Sequence, residues 1–471
     1  MARHDGVRLP FGVVARFSIG SIGTGGFGTL PGLVLVYYLT DSLGVAALTA
    51  GLIVTLAKVW DILIDPVIGA YTDREHQRTG GRSRLMLIGA VSIPVLFLLT
   101  FAVPAGLDPV ASGIWVGVAF IAAATAFSLF QVPYMEIPAE LTGSYHERTR
   151  LLSSRVVVLS IAILLFGAGG PALRSLGGGD SHLGYLLMGL VAGVVLGAGF
   201  LVASSVATKR HLVASVGRIE PAGTWPARRG LLVHYRGTIR VFRESRAFRI
   251  LVLAFGLQAL ATGTMLACAQ YVATYLLRDE DAVTFLFLAM IAPAIVCTPL
   301  WAWISRRIGK RRGYEIATLV FAIAAVAQLG IIWAPGPWVY VAAALAGAAY
   351  SGLQALPMAM LPDVIAVDAR RGRNRGGAFA GAWTAAETLA MTLGTTLLTI
   401  VLASTGYLES TGIVFVEQPE AAVLGIALTF ALAPAALAAL SLLAIRRYPL
   451  GQEDVDLPAG GGRAVDAEGG A

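Results

Sequence analysis

The chain has 471 residues, 56% of them hydrophobic and only 13% charged, with a mean hydropathy of +0.75. A water-facing globule wants about a quarter charged residues, so the composition places this chain in a bilayer. Twelve spans of about 20 residues each consume most of its length and exclude a large soluble catalytic domain. The formal charge of +7 sits in short turns between apolar runs, where Lys and Arg set membrane orientation, so no nucleic-acid partner is expected. Cys268 and Cys297 lie inside apolar stretches without metal-ligand spacing and read as core packing.

Apolar runs bounded by charge, Gly and Pro predict spans near 17–40, 47–71, 85–103, 111–137, 153–173 and 184–207. Six more follow near 250–277, 284–304, 317–333, 339–361, 378–404 and 424–445. The first run is too long for a cleaved signal segment and reads as a span that stays. Basic residues gather in the connections on one side, from Arg3, Arg8 and Arg16 to Arg446, Arg447 and Arg463, whereas the other side keeps Arg174 and Arg278. Both termini are therefore expected in the cytoplasm.

The longest connection is basic and divides the spans six and six. The expected organisation is an N-terminal six-helix bundle over residues 1–207 that carries the cation site and a basic cytoplasmic linker over 208–249. A C-terminal six-helix bundle over 250–445 and a cytoplasmic tail over 446–471, Gly-rich and expected to be disordered, complete it. Internal similarity supports the division. Gly81-Arg82-Ser83-Arg84 resembles Gly309-Lys310-Arg311-Arg312, 228 positions later, and Glu140, Arg148 and Arg150 match Asp363, Arg371 and Arg373 at a shift of 223. Duplicated six-helix halves are the architecture in which a transporter rocks around a central site.

Ionisable groups in mid-membrane cost a few kcal/mol each on insertion scales (about 2.5–3.5), so each is a functional hypothesis. The second span holds Lys58, Asp61 and Asp65 at spacings that put all three on one helical face. There the lysine offsets one carboxylate and leaves the other to bind a cation or proton; a purely structural charge cluster is the other reading. Pro66 denies the Ile62 carbonyl its helical amide partner, which frees an oxygen for a cation or merely marks a kink.

The run from Trp60-Asp61-Ile62-Leu63-Ile64-Asp65-Pro66 to Gly69, followed by Asp73 and Gly81-Arg82-Ser83-Arg84, resembles the second-helix signature of the glycoside-pentoside-hexuronide:cation symporters. These form the melibiose-permease branch of the major facilitator superfamily. Tyr37-Tyr38-Leu39-Thr40-Asp41, Val132-Pro133-Tyr134 through Glu140-Leu141-Thr142, Arg155, Leu361-Pro362-Asp363 and the stretch from Trp383 to Gly394 look like further segments of that family. The resemblance implies an all-α integral membrane protein of the plasma membrane, twelve helices in two pseudo-repeat bundles, performing cation-coupled symport of a small solute. No enzymatic activity and no cofactor beyond the coupling ion, H+ or Na+, are implied. It puts Asp61 and Asp65 on the family's cation-site aspartates and Arg155 on a sugar-contacting arginine.

Departures from the family matter as much. Ile64 and Gln131 stand where sodium users have an asparagine and an acid; Gln131 is kept as a cation-site candidate. Gly25 and Thr24 replace a sugar-holding acid and lysine, Met135 and Gln354 replace stacking aromatics, and the eleventh-helix lysine falls on Thr388 or, within one residue, Glu387. The candidate substrate set is Arg155, Trp60, Tyr134, Gln354, Trp383 and Thr388. The candidate inner gate is Asp73, Arg82, Arg84, Glu140, Asp363 and Arg371, whose opposite charges at helix ends of two halves suit a latch. The alternative function is a carrier of a lysolipid-like amphiphile, or a drug exporter, on the same fold. The expected partners are the solute and the bilayer, with the monomer as functional unit. No G-x-x-x-x-G-K-[ST] phosphate loop occurs, so no ATP site is expected.

Overall fold

The structure is a computed structural model, described here for residues 8–142, 145–178, 181–208, 241–370, 376–411 and 416–450. It is built of long helices, with no strand among the described residues. In a bilayer every backbone polar group must find an internal partner, and a helix provides this within one segment. The first set is α1 (Phe11–Tyr37), α2 (Ala47–Thr79), α3 (Ser83–Phe101), α4 (Pro109–Leu141), α5 (Tyr145–Ser175) and α6 (Ser181–Ser204). The second is α7 (Arg246–Tyr271), α8 (Ala282–Ile308), α9 (Lys310–Ala327), α10 (Val339–Arg370), α11 (Gly376–Ser404) and α12 (Glu420–Ile445). Among the described residues twelve helices are long and apolar enough to cross a membrane, one for each predicted span.

Several helices outrun the apolar stretches that announced them. α2 continues past residue 71 to Thr79 and stops only where Gly80 takes φ +71, and α10 continues past 361 to Arg370. Hydropathy marks the bilayer-crossing part, but the backbone stays helical until a residue ends it, and left-handed glycine is such an end. α2 also runs unbroken through Pro66.

Packing gathers the helices into their two sets. α1 lies on α5 and α6, α3 on α4 and α6, and α2 on α4; in the second set α7 lies on α11 and α12, α10 on α8 and α9, and α9 on α12. The sets meet along α2 with α11, α5 with α8 and α1 with α7. Two of these seams depend on glycine. A Cβ on Gly51 of α2 would overlap Thr399 of α11, and one on Gly167 of α5 would overlap the ring of Phe287 of α8. Small residues let helix backbones approach where lipid offers no hydrophobic drive. Both seams lie on the face opposite the linker and the chain ends; that face is called the far face below.

Candidate functional site: a charged helix face between two gates

The second-span charges come together as their spacing predicts. Lys58 Nζ is 3.2 Å from Asp61 Oδ2 and 5.7 Å from the centre of the Phe27 ring on α1. Asp65 shares a hydrogen bond with Ser128 of α4. The remaining oxygen on each acid, Oδ1 of Asp61 and Oδ1 of Asp65, is buried without a hydrogen-bond partner. Orphaned buried acceptors are rare because each costs about 1–3 kcal/mol, and two on one helix face mark a place shaped for a proton or cation. Gln131 lies one turn from Ser128 on α4, but its Oε1 accepts from Thr24 Oγ1 at 2.8 Å, which ties it to α1. Among the described residues no group of three or more His, Cys, Asp or Glu side chains is placed to hold a metal ion.

The aromatic candidates are placed differently from expectation. Tyr134 is fully buried, stacked between Phe17 and Phe130 at 4.7 and 5.0 Å. Its hydroxyl donates to the Phe17 carbonyl at 2.8 Å and pairs with Ser21 at 3.0 Å, so it offers no face to a solute. It instead braces Arg155, whose guanidinium lies 5.6 Å from its ring centre and whose Nε is buried without a partner. Trp60 falls in the exposed apolar stripe of α2 with Leu52, Leu56, Leu63 and Val67 and donates to Thr125 at 2.9 Å, on a side of the helix away from the charged face. Trp383 is 2% exposed and stacked on Phe255 at 4.2 Å, inside the second set. Sequence position alone does not say which side of a helix an aromatic occupies. Gln354 and Thr388 are half-buried, with Gln354 Nε2 donating to the Tyr350 hydroxyl at 2.7 Å and the Thr388 carbonyl accepting from Thr392.

On the linker face, the gate candidates pair inside their own sets. Arg82 lies 2.6 Å from both Glu140 and Glu136, and Lys310 lies 2.6 Å from Asp363. Arg82 and Lys310 are the matching positions of the repeated Gly-Arg and Gly-Lys motifs, and Glu140 and Asp363 match likewise. The two repeats seen in the sequence are thus the two partners of one ion pair, made once in each set. Arg84 is exposed, and its backbone amide donates to Glu75 at 3.0 Å. The Asp73 side chain and Arg371 lie outside the described residues.

The polar contacts between the sets that the described residues show lie on the far face. Asp41, 5% exposed, accepts from Tyr407 at 2.6 Å and from Tyr275, while its neighbour Thr40 meets Tyr271 at 2.7 Å. Arg174 reaches Glu280 at 3.0 Å and sits against the rings of Tyr37 and Tyr185. The Ala47 amide donates to Glu409 at 3.1 Å, and Thr55 meets Thr396 at 2.8 Å. Here these contacts join the halves at the far face. Sequence reading sought the gate on the linker face and missed Asp41, although an acid inside an apolar run was the available signal.

With this geometry in place, the comparisons agree. The model of the MFS/sugar transport protein family matches residues 16–452. The chain belongs to that family. It is 24% identical over 431 residues to the uncharacterized symporter YnaJ of Bacillus subtilis (strain 168), covering 89% of this chain and 87% of the relative. It is 24% identical over 369 residues to the sodium-dependent lysophosphatidylcholine symporter 1 of Mus musculus, covering 71% and 66%. Among solved structures, a bacterial homologue of the human drug peptide transporters PepT1 and PepT2 shares the fold at a TM-score of 0.64 and 14% identity, covering 92% of this chain and 96% of that one. The likeness to glycoside-pentoside-hexuronide:cation symporters and the major facilitator fold are borne out, and the protein is a membrane transporter of the symporter class.

Proposed function

We propose that the protein is a secondary symporter of the plasma membrane, with cytoplasmic termini, that couples inward cation movement on Asp61 and Asp65 to uptake of a small solute by alternating access. The observation that carries this reading is the pair of orphaned carboxylate oxygens on one face of α2, beside a lysine already committed to one of the acids. Cation or proton loading satisfies those oxygens. Contacts between the halves join the far face, and on the linker face Arg82 pairs with Glu140 and Lys310 with Asp363, a charge set that suits a latch remade in alternating access. The family suggests a glycoside as solute. The test is accumulation in proteoliposomes under imposed proton or sodium gradients, with a panel of glycosides, uronides and lysolipids; no gradient-driven accumulation of any of them would refute the reading.

A second reading, an amphiphile carrier, draws on two exposed methionines. Tyr134 and Trp383 are packed away from any sugar ring, whereas Met135 on α4 and Met358 on α10 are 51% and 53% exposed. Sugars want aromatic faces and converging polar groups, and flexible methionine suits alkyl chains. Uptake of lysolipids but not glycosides in the same panel favours it.

A further inference from the structure

We propose that a cavity on the far face of the second set binds a zwitterionic amphiphile, and that its occupancy holds the two sets joined there. The cavity measures about 910 Å3, within the range of about 300–1,000 Å3 typical of small-molecule sites. It is lined by the turns that follow α7 and α9, the connection into α8 and the first turns of α12, and by no residue of the α2 face. Three of its polar lining residues are the second set's side of contacts between the sets. Tyr275 donates to Asp41, Glu280 holds Arg174 at 3.0 Å, and Thr274 donates to the Tyr37 hydroxyl at 3.2 Å. Parting the sets breaks these contacts and releases that wall, so an occupant that fits it as it stands favours the joined state.

The chemistry of the occupant follows from the lining groups that are still open. Gln418 spends both ends of its amide on the Leu408 backbone, at 2.9 and 2.8 Å. Arg278, Glu417 and Glu420 are exposed and make no hydrogen bond or ion pair with any described residue. Arg278 also holds φ +55, a left-handed conformation that residues with a side chain rarely adopt and that functional sites retain. One open cation and two open anions around a single cavity answer a ligand of both signs, with its anion on Arg278 and its ammonium on the glutamates. The remaining wall is apolar, with Ile331, Ile332, Val423 and Leu424, and suits a hydrocarbon body. A neutral sugar leaves all three charges unanswered, and a simple anion leaves the glutamates so.

The experiment measures equilibrium binding to the full chain in phosphatidylglycerol nanodiscs, referenced to empty discs. The probes are octylphosphocholine, octyltrimethylammonium, octyl phosphate and octyl glucoside below their micelle concentrations. Octylphosphocholine is expected to bind tightest. Arg278→Asn, which suits the left-handed backbone, weakens octylphosphocholine and octyl phosphate by about fivefold, the upper worth of an exposed ion pair, and leaves octyltrimethylammonium within about twofold. Glu417→Gln with Glu420→Gln weakens octylphosphocholine and octyltrimethylammonium instead. Val423→Trp fills the cavity and abolishes binding of every probe; should it fail to fold, the charge variants, at exposed positions, decide alone. Saturating octylphosphocholine also slows labelling of Ser42→Cys by an impermeant thiol reagent applied from the far side, by about twofold or more. Equal affinity for all four probes, indifference to the charge variants, or unchanged labelling at saturation overturns the proposal. Discs of phosphatidylcholine separate the sources: loss of probe binding there identifies a bilayer phospholipid as the occupant, and retention identifies an amphiphile taken from the aqueous phase.

Discussion

Asp65 is the residue on which the proposed coupling turns. It lies within hydrogen-bond reach of Ser128 and its Oδ1 has no partner, so Asp65→Asn removes the charge while nearly conserving shape. Accumulation ratios in Asp65→Asn proteoliposomes should fall to the gradient-free level while the protein still purifies folded; ratios equal to wild type would refute the role. Tyr134 makes the opposite case. Tyr134→Phe loses the bonds to Phe17 and Ser21 but keeps the ring beneath Arg155. Intramembrane hydrogen bonds average about 0.6 and reach about 1.7 kcal/mol, so thermal unfolding should register a loss in that range with solute affinity unchanged. A selective fall in affinity would return Tyr134 to the binding site. The acids of α2 were legible because mid-span charge is rare enough to carry meaning by itself. The roles of Trp60, Tyr134 and Trp383 were not, because aromatics serve core, lipid face and binding wall alike, and only packing says which.

At the scale of elements, all twelve helices could be located from apolar runs, but their ends and rotations could not, since hydropathy reports the bilayer and caps report the backbone. The seams between halves are likewise invisible in sequence, because a glycine at a crossing looks like any other glycine of the 55 in the chain. Gly51 and Gly167 are distinguished only by what faces them, Thr399 and Phe287. Bulk there should wedge the far face open. Gly167→Val is expected to make a cysteine placed at Ser42 reactive toward an impermeant thiol reagent applied from the far side, whereas in the otherwise wild-type protein that position is buried. Asp41→Ala should act in the same direction by removing the acceptor shared by Tyr275 and Tyr407 across the halves. Equal labelling of variants and parent would show that these contacts do not govern closure.

For the whole molecule, the question is which ion drives the rocking, and the site argues for the proton. A sodium ion wants about five or six oxygen ligands at close range, by analogy with hard cations. The α2 face supplies one orphaned oxygen from each of two acids, Ile64 offers none, and Gln131 Oε1 already accepts from Thr24. Nor do the described residues hold a third acid near the pair. A proton needs one carboxylate, and Lys58 on Asp61 leaves Asp65 to take it. Because a carrier that rocks around a central site opens to one side at a time, a proton loaded from outside would be released only after the halves exchange seals. An inward proton gradient should therefore concentrate solute more strongly than an equal sodium gradient. The deciding measurement is uptake with sodium graded, pH equal on both sides and the membrane potential held at zero. If sodium alone then concentrates solute as well as protons do, the proton assignment is wrong, and Asp61 and Asp65 must draw on water or on regrouped side chains to complete a sodium shell.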